Sequence, residues 1–231
     1  VTTARRALVT GASRGIGAAV AARLAGDGFD VLTLDLEPGC DIELDVARGE
    51  FPPLADVDVC VANAGLTRTI APAERMTAEQ WQGDIDVNLT GAFRTIQACL
   101  GGMRERRHGR IVVVSSVAAI GGLPGQVAYA ASKAGQLGMV RTLAVECAPY
   151  GISVNAVLPG LVATEQVLAM PAEVRERALS TLPSGRMVEP AEIAALIAFL
   201  CSEEAGQVSG QALAVDGAAS LSTFTLGRER G

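Results

Sequence analysis

Tyr129 is followed four positions later by Lys133 in the run Tyr129-Ala130-Ala131-Ser132-Lys133. If that run is helical, four residues make about one turn, so a phenol and an ammonium lie on one face. Such a pair could hand a proton to, or take one from, an oxygen bound beside it. The composition gives the pair weight, because the chain holds eighteen arginines but a single lysine. A guanidinium fork does not replace a compact, rotatable three-donor cation beside a phenol and a sugar hydroxyl. Thirteen positions before Tyr129, Ser116 closes the run Val112-Val113-Val114-Ser115-Ser116. This reads as a buried strand with hydroxyls at its carboxyl end. Alone, a Tyr-x-x-x-Lys pair is most often part of an ordinary surface helix, so the rest of the chain decides its meaning.

A second set of residues suits phosphate. After the apolar strand Ala7–Thr10 come Gly11, Gly15 and Gly17, and then an alanine-rich helical run to Leu24. Glycines there permit a tight turn and bring backbone N–H groups to an anion at the positive end of the helix. Their spacing is G-x-x-x-G-x-G rather than G-x-G-x-x-G, and either pattern is weak alone. The run Val31–Asp35 ends in an acid eighteen residues beyond Gly17, near the offset expected of a carboxylate that binds a ribose diol. Asn63-Ala64-Gly65 closes a further strand, Val57–Val61, and Asn88 lies inside a helix expected over Asp84–Arg107. Asparagine is mildly unfavourable within a helix. It reads equally well as a functional group and as a tie to a neighbouring segment.

The elements that must hold these residues follow from periodicity. Ile42–Val46 reads as a short strand, and the links around it over residues 36–57 are too short for full crossover helices. Strands are expected at Arg110–Ser116, Ile152–Val157 and Gln211–Val215, and helices at Ala128–Pro149 and Glu192–Leu200, the latter entered through Glu189-Pro190. Residues 164–188 read as a helical, lid-like insertion, and the tail from Ala218 as partly ordered. With 231 residues and 49% hydrophobic but only 3% aromatic content, one α/β domain spanning 1–231 with a parallel sheet is expected.

Composition also removes alternatives. A net charge of −6 argues against a nucleic-acid partner. The basic cluster Arg104, Arg106, Arg107 and Arg110 reads as a solvated helix end. Five scattered cysteines without a C-x-x-C pair read as free, mostly buried thiols in a reducing compartment. No export signal and no membrane-length apolar run is expected, and the default location is cytoplasmic. The only histidine, His108, reads as a surface residue, and neither a histidine triad nor a metal site is expected.

Taken together, Thr10-Gly11-Ala12-Ser13-Arg14-Gly15-Ile16-Gly17, Asn63-Ala64-Gly65, Asn88, Ser116, Tyr129-x-x-x-Lys133 and Pro159-Gly160 resemble the short-chain dehydrogenase/reductase family from Ala7 to about Gly217. The resemblance implies a Rossmann-type, doubly wound three-layer sandwich on a mostly parallel seven-stranded sheet, usually a homotetramer (or homodimer), moving hydride between a nicotinamide and a carbonyl or secondary alcohol. It implies Tyr129 as acid/base and Ser116 as the hydroxyl that polarises the substrate oxygen. Lys133 would bind the nicotinamide ribose and lower the phenol toward neutrality. Asn88 would hold a water linking Lys133 to solvent. Pro159, Gly160, Val162 and Thr164 would line the nicotinamide amide, Asn63, Ala64 and Gly65 the adenine-side ribose, and Asp45 and Val46 the adenine. The chain departs from the family's pattern in its short 36–57 region, in Ala218 where a second glycine is usual, and in its extended tail.

Cofactor choice sets Asp35 against Arg14. A carboxylate beside a 2′-phosphate is repulsive and beside a free diol favourable, so NAD is expected over NADP. Ala118, Gln126, Leu161 and residues 66–70 would form a mostly apolar substrate pocket with Ser116 and Tyr129, covered by residues 167–170. Arg68 and Arg186 read chiefly as solvated loop residues. The expected activity is an NAD-dependent interconversion of a small secondary alcohol and a ketone. The alternatives are an NADPH-dependent 3-oxoacyl-thioester reductase and a non-catalytic dinucleotide sensor or scaffold.

Overall fold

In a computed structural model, which describes residues 5–67 and 70–221, the apolar runs become seven strands. They are β1 (Arg6–Thr10), β2 (Asp30–Asp35), β3 (Ile42–Glu43), β4 (Val59–Ala62), β5 (Gly109–Val114), β6 (Ile152–Pro159) and β7 (Ala212–Val215). All pair in parallel, in the order β3-β2-β1-β4-β5-β6-β7. The helices are α1 (Gly15–Gly26), α2 (Ala78–Ile85), α3 (Ala92–Arg106), α4 (Ala118–Gly121), α5 (Val127–Cys147), α6 (Glu165–Leu168), α7 (Ala172–Leu179) and α8 (Pro190–Cys201). Successive strand residues point to opposite faces, and the two cores follow that rule. Leu8, Ile111 and Val113 pack with Ile96 and Met103 of α3 and Leu137 and Val140 of α5. Val9, Val59 and Val112 pack with Val20 and Leu24 of α1 and Ile193 and Ile197 of α8.

Several expectations change in the structure. The helix expected over Asp84–Arg107 begins earlier, behind a capping box of Thr77 and Gln80. A turn of π-helix, Asp86–Gly91, then joins α2 to α3. The strand expected over Ile42–Val46 is only Ile42–Glu43. The short connection over 36–57 carries no helix, as expected. Arg94 of α3 pins it, donating to the Gly49 carbonyl at 2.5 Å and the Val46 carbonyl at 3.3 Å. Arg110, expected in a solvated cluster, is buried and bonds to Glu203 at 3.1 Å and to the Ser202 carbonyl at 3.1 Å. Its place at the start of a central strand decides this, not its neighbours in sequence. His108 is half-buried at the amino end of β5, the opposite end of the sheet from the cleft described below.

The insertion over 164–188 is closed at its base, where Ala163 donates to the Val188 carbonyl and Val188 to the Leu161 carbonyl, both at 2.9 Å. After β7, Gly217 and Ala218 take φ of 59° and 69°. The second is a left-handed value that L-residues seldom adopt, which gives a physical reason why glycine suits that position. Among the described residues all five cysteines are free and four are buried, and no described helix is long and apolar enough to cross a membrane. Arg68 and the tail beyond Leu221 lie outside the described residues.

Candidate active site

Because β1 stands between β2 and β4, the chain leaves β1 to one side of the sheet and returns on the other. A crevice opens at the carboxyl ends where the order reverses. It holds a cleft of about 590 Å³, within the range of cofactor sites. Gly11 and Gly15 line it with φ of 66° and 57°. Gly17 has no room for a side chain, since a Cβ there would lie 1.9 Å from the Gly11 carbonyl oxygen. Asn63 lines the cleft as well. Its Nδ2 donates to the carbonyls of Thr10 at 2.9 Å and Gly11 at 3.1 Å, binding the end of β4 to the glycine turn.

Asp35, at the end of β2, lines the same cleft with Arg14, Ile16, Asp45 and Val46. Its Oδ2 accepts from the Ser13 N–H at 3.0 Å and the Ser13 hydroxyl at 2.7 Å. Ser13 thus holds the acid rather than lining the cleft itself. Burial pushes the Asp35 carboxyl up, but the hydrogen bonds from Ser13 and from the Glu37 and Leu36 backbone outweigh it, leaving the pKa below the ordinary value. A glycine turn at a helix N-terminus with an ionised carboxylate beyond it fits the pyrophosphate and adenosine ribose of a nicotinamide dinucleotide. Ala64, Gly65, Pro159, Gly160, Val162 and Thr164 continue the lining past the end of β6.

At the far end of the cleft, the close of β5 meets the first turns of α5. The Ser115 hydroxyl donates to the Lys133 carbonyl at 2.9 Å, fixing strand to helix. The Lys133 ammonium is buried and donates to the Val114 carbonyl at 2.8 Å. It lies 5.7 Å from the centre of the Tyr129 ring, so the expected shared helix face is present. The Ser116 hydroxyl lies near enough to the Tyr129 phenol to act on its proton. The expectation that Lys133 draws the phenol toward neutrality is not met by the protein's own groups. Burial raises the Tyr129 pKa, the Ser116 hydroxyl lowers it, and the charge of Asp84, buried on α2, raises it further. Sequence cannot reveal this, because desolvation depends on what covers the ring.

Burial lowers Lys133 from its ordinary value to about 8. Because it is the chain's only lysine, a carbon-13 lysine-labelled sample should give one side-chain signal titrating near 8. A midpoint near 10.5 would show an exposed amine. The unfolded chain binds this proton more tightly than the folded one, so this residue's contribution to stability should improve as pH rises from about 8 to 10.5.

Asn88 is fully buried in the π turn. Its Oδ1 accepts from the Leu66 N–H at 2.8 Å and its Nδ2 donates to the Leu66 carbonyl at 2.9 Å, so the side chain does tie the helix to a neighbour. Of the residues expected at the substrate, Leu66, Thr67, Ser116, Tyr129, Leu161 and Val167 line the cleft, joined by Gln166. Ala118 is buried instead and donates its N–H to the Ser116 Oγ at 3.1 Å. Gln126 sits at the start of α5, outside the lining. Arg186 pairs with both carboxylate oxygens of Glu192, at 2.7 and 2.8 Å. Thr10, which opens the glycine motif but has no role assigned from sequence, accepts at its hydroxyl from the Asn63 and Ala64 N–H groups at 3.1 and 3.0 Å. The residue the sequence left unread is Gln136, and a polar side chain on a buried helix face was the available signal.

Residues 51–220 match a family model described as enoyl-(acyl carrier protein) reductase. The chain is 40% identical over 235 residues to an acetoacetyl-CoA reductase of Shinella zoogloeoides, covering 92% of this chain and 97% of that protein. It is 39% identical over 236 residues to the 3-oxoacyl-[acyl-carrier-protein] reductase FabG of Escherichia coli, covering 91% of this chain and 95% of that one. The crystal structure of levodione reductase superposes with a TM-score of 0.85 at 30% identity, over 94% of this chain and 97% of the other.

Proposed function

The chain belongs to the short-chain dehydrogenase/reductase family, and from that premise we propose that it reduces 3-oxoacyl thioesters to 3-hydroxyacyl thioesters, with NADH preferred over NADPH. The site observation that carries it is the meeting of the Ser116 hydroxyl, the Tyr129 phenol and the Lys133 ammonium in the lining of one cleft. A phenol protonated at neutral pH can give a ketone oxygen the proton it needs, and the direction rests on the activities of the relatives. The thioester class rests on the activities of relatives that align along nearly the whole chain. This reading replaces the small secondary alcohol expected from sequence.

The nicotinamide ring, when bound, supplies the hydride that forms the new C–H bond. The protein does the rest. Ser116 and Tyr129 hold the ketone oxygen, and the phenol gives its proton to that oxygen as the C=O bond becomes C–O–H. Lys133 binds the ribose, and a proton from solvent then returns to the phenolate. Leu66, Leu161 and Val167 give the acyl chain an apolar wall.

Purified protein supplied with NADH and acetoacetyl-CoA should oxidise the dinucleotide, with kcat/KM at least about tenfold above that for an unactivated ketone of similar size, because the carrier end adds binding energy. A chain that preferred plain ketones would return the reading to a small-molecule alcohol dehydrogenase. One silent on every ketone and alcohol tried, with either dinucleotide, would be a sensor or scaffold.

A further inference from the structure

One turn beyond Lys133 on α5 lies Gln136, a fully buried amide. Its Nε2 donates to the Asn88 carbonyl at 2.6 Å, while its Oε1 is buried with no hydrogen-bond partner among the described residues. Burying an unpaired acceptor is unfavourable, and an apolar side chain of equal volume would avoid it. Against that stands the bond the amide does make, and that bond falls on the π turn.

In a π turn the chain closes one residue later than in an α-helix, so residues before it are rotated by about 100° from where a straight helix would put them. The phase of the turn therefore decides where Asn88 points. Here it points at Leu66, which it holds by both backbone groups. Gly65 stands between that amide and the ammonium: a Cβ placed on it would lie 3.1 Å from Asn88 Oδ1 and 3.3 Å from Lys133 Nζ. The path from Gln136 through Asn88 and the 65–66 peptide thus returns to Lys133, on the helix where it began. Besides Tyr129 and Lys133, the charged group bearing on this pair is Asp84 on α2.

We propose that Gln136 is a positioning residue for the Tyr129–Lys133 pair: its amide fixes the phase of the π turn, so that Asn88 holds the 65–66 peptide against the ammonium. The proposal rests on the reading of Tyr129 and Lys133 as the reacting pair, but one of its tests needs no turnover.

In a lysine-labelled Gln136→Leu chain, the single lysine signal should titrate at least about half a unit higher than in the unmodified chain, as loosening lets water reach the amine. With ketone and NADH, kcat should fall about tenfold with KM changed less than about twofold, a loss of alignment rather than of binding. Gln136→Glu supplies the conservative arm. Protonated, the carboxyl can donate to the Asn88 carbonyl; ionised, it cannot. Its activity relative to the unmodified chain should therefore be near normal in acid and fall as that carboxyl ionises, whereas the leucine variant's ratio should not follow this course.

A leucine variant with an unmoved lysine titration and unchanged kcat overturns the proposal. If that variant does not fold, a pH-independent activity ratio in Gln136→Glu overturns it instead. Should the unmodified protein reduce no ketone, the thioester reading fails while the lysine titration still decides the role of Gln136.

Discussion

Tyr129→Phe should lower kcat for ketone reduction by about 10³-fold or more while leaving dinucleotide affinity within about twofold, a loss at the upper part of what one proton donor contributes. The substitution removes one oxygen from a ring packed between the end of β5 and the first turn of α5, so the fold has little reason to respond. The groups assigned to the dinucleotide elsewhere in the cleft, from the glycine turn to Asp35, do not touch the phenol's oxygen. Binding measured by calorimetry and turnover measured by NADH oxidation should therefore separate cleanly. A variant that kept most of its turnover would move the proton donor elsewhere. The pH profile supplies a second check. With the phenol raised and Lys133 lowered to about 8, the rate of reduction should fall as pH rises through about 8, where the ammonium loses its proton. A limb near 6 to 7, where an isolated histidine would titrate, would not fit this pair.

What the sequence made legible was whatever has a short period or a fixed local offset. The glycine turn, the acid ending β2 and the Tyr129–Lys133 helix face all depend on neighbours within a few turns, and the structure puts each at the same cleft. What it hid depends on contacts between distant segments. The π turn adds one residue to a helix whose apolar positions still look periodic, so Asp84–Arg107 reads as unbroken although Asn88 owes its aim to the break. Gln126 precedes Tyr129 by only three residues, yet it sits at the start of α5 and outside the cleft lining. Arg110 reads with the exposed arginines before it until β5 is placed inside the sheet. The phenol's pKa was read from one cation, whereas burial is the larger cause.

Asp35→Ala should lower the preference for NADH over NADPH, as a ratio of kcat/KM values, by about 30-fold. A unit charge about 4 Å from a phosphate charge costs roughly 4 kcal/mol at the effective dielectric of a protein surface, and solvent screening at this half-exposed position leaves about half of that. The carboxylate cannot easily turn away, since Ser13 holds its Oδ2 from both N–H and hydroxyl and the Glu37 N–H reaches its Oδ1 at 3.2 Å. Nor does it escape by protonation, because its pKa lies below the ordinary value. Arg14 lines the same end of the cleft, so removing the acid should uncover a guanidinium able to meet a 2′-phosphate. The double change Asp35→Ala with Arg14→Ala should then lose most of the NADPH gain while keeping the loss with NADH. If the unmodified chain already favours NADPH, the electrostatic ranking is wrong. In that case Arg14 outweighs the carboxylate, and Ser13 serves to draw Asp35 back from the phosphate rather than to present it to a diol.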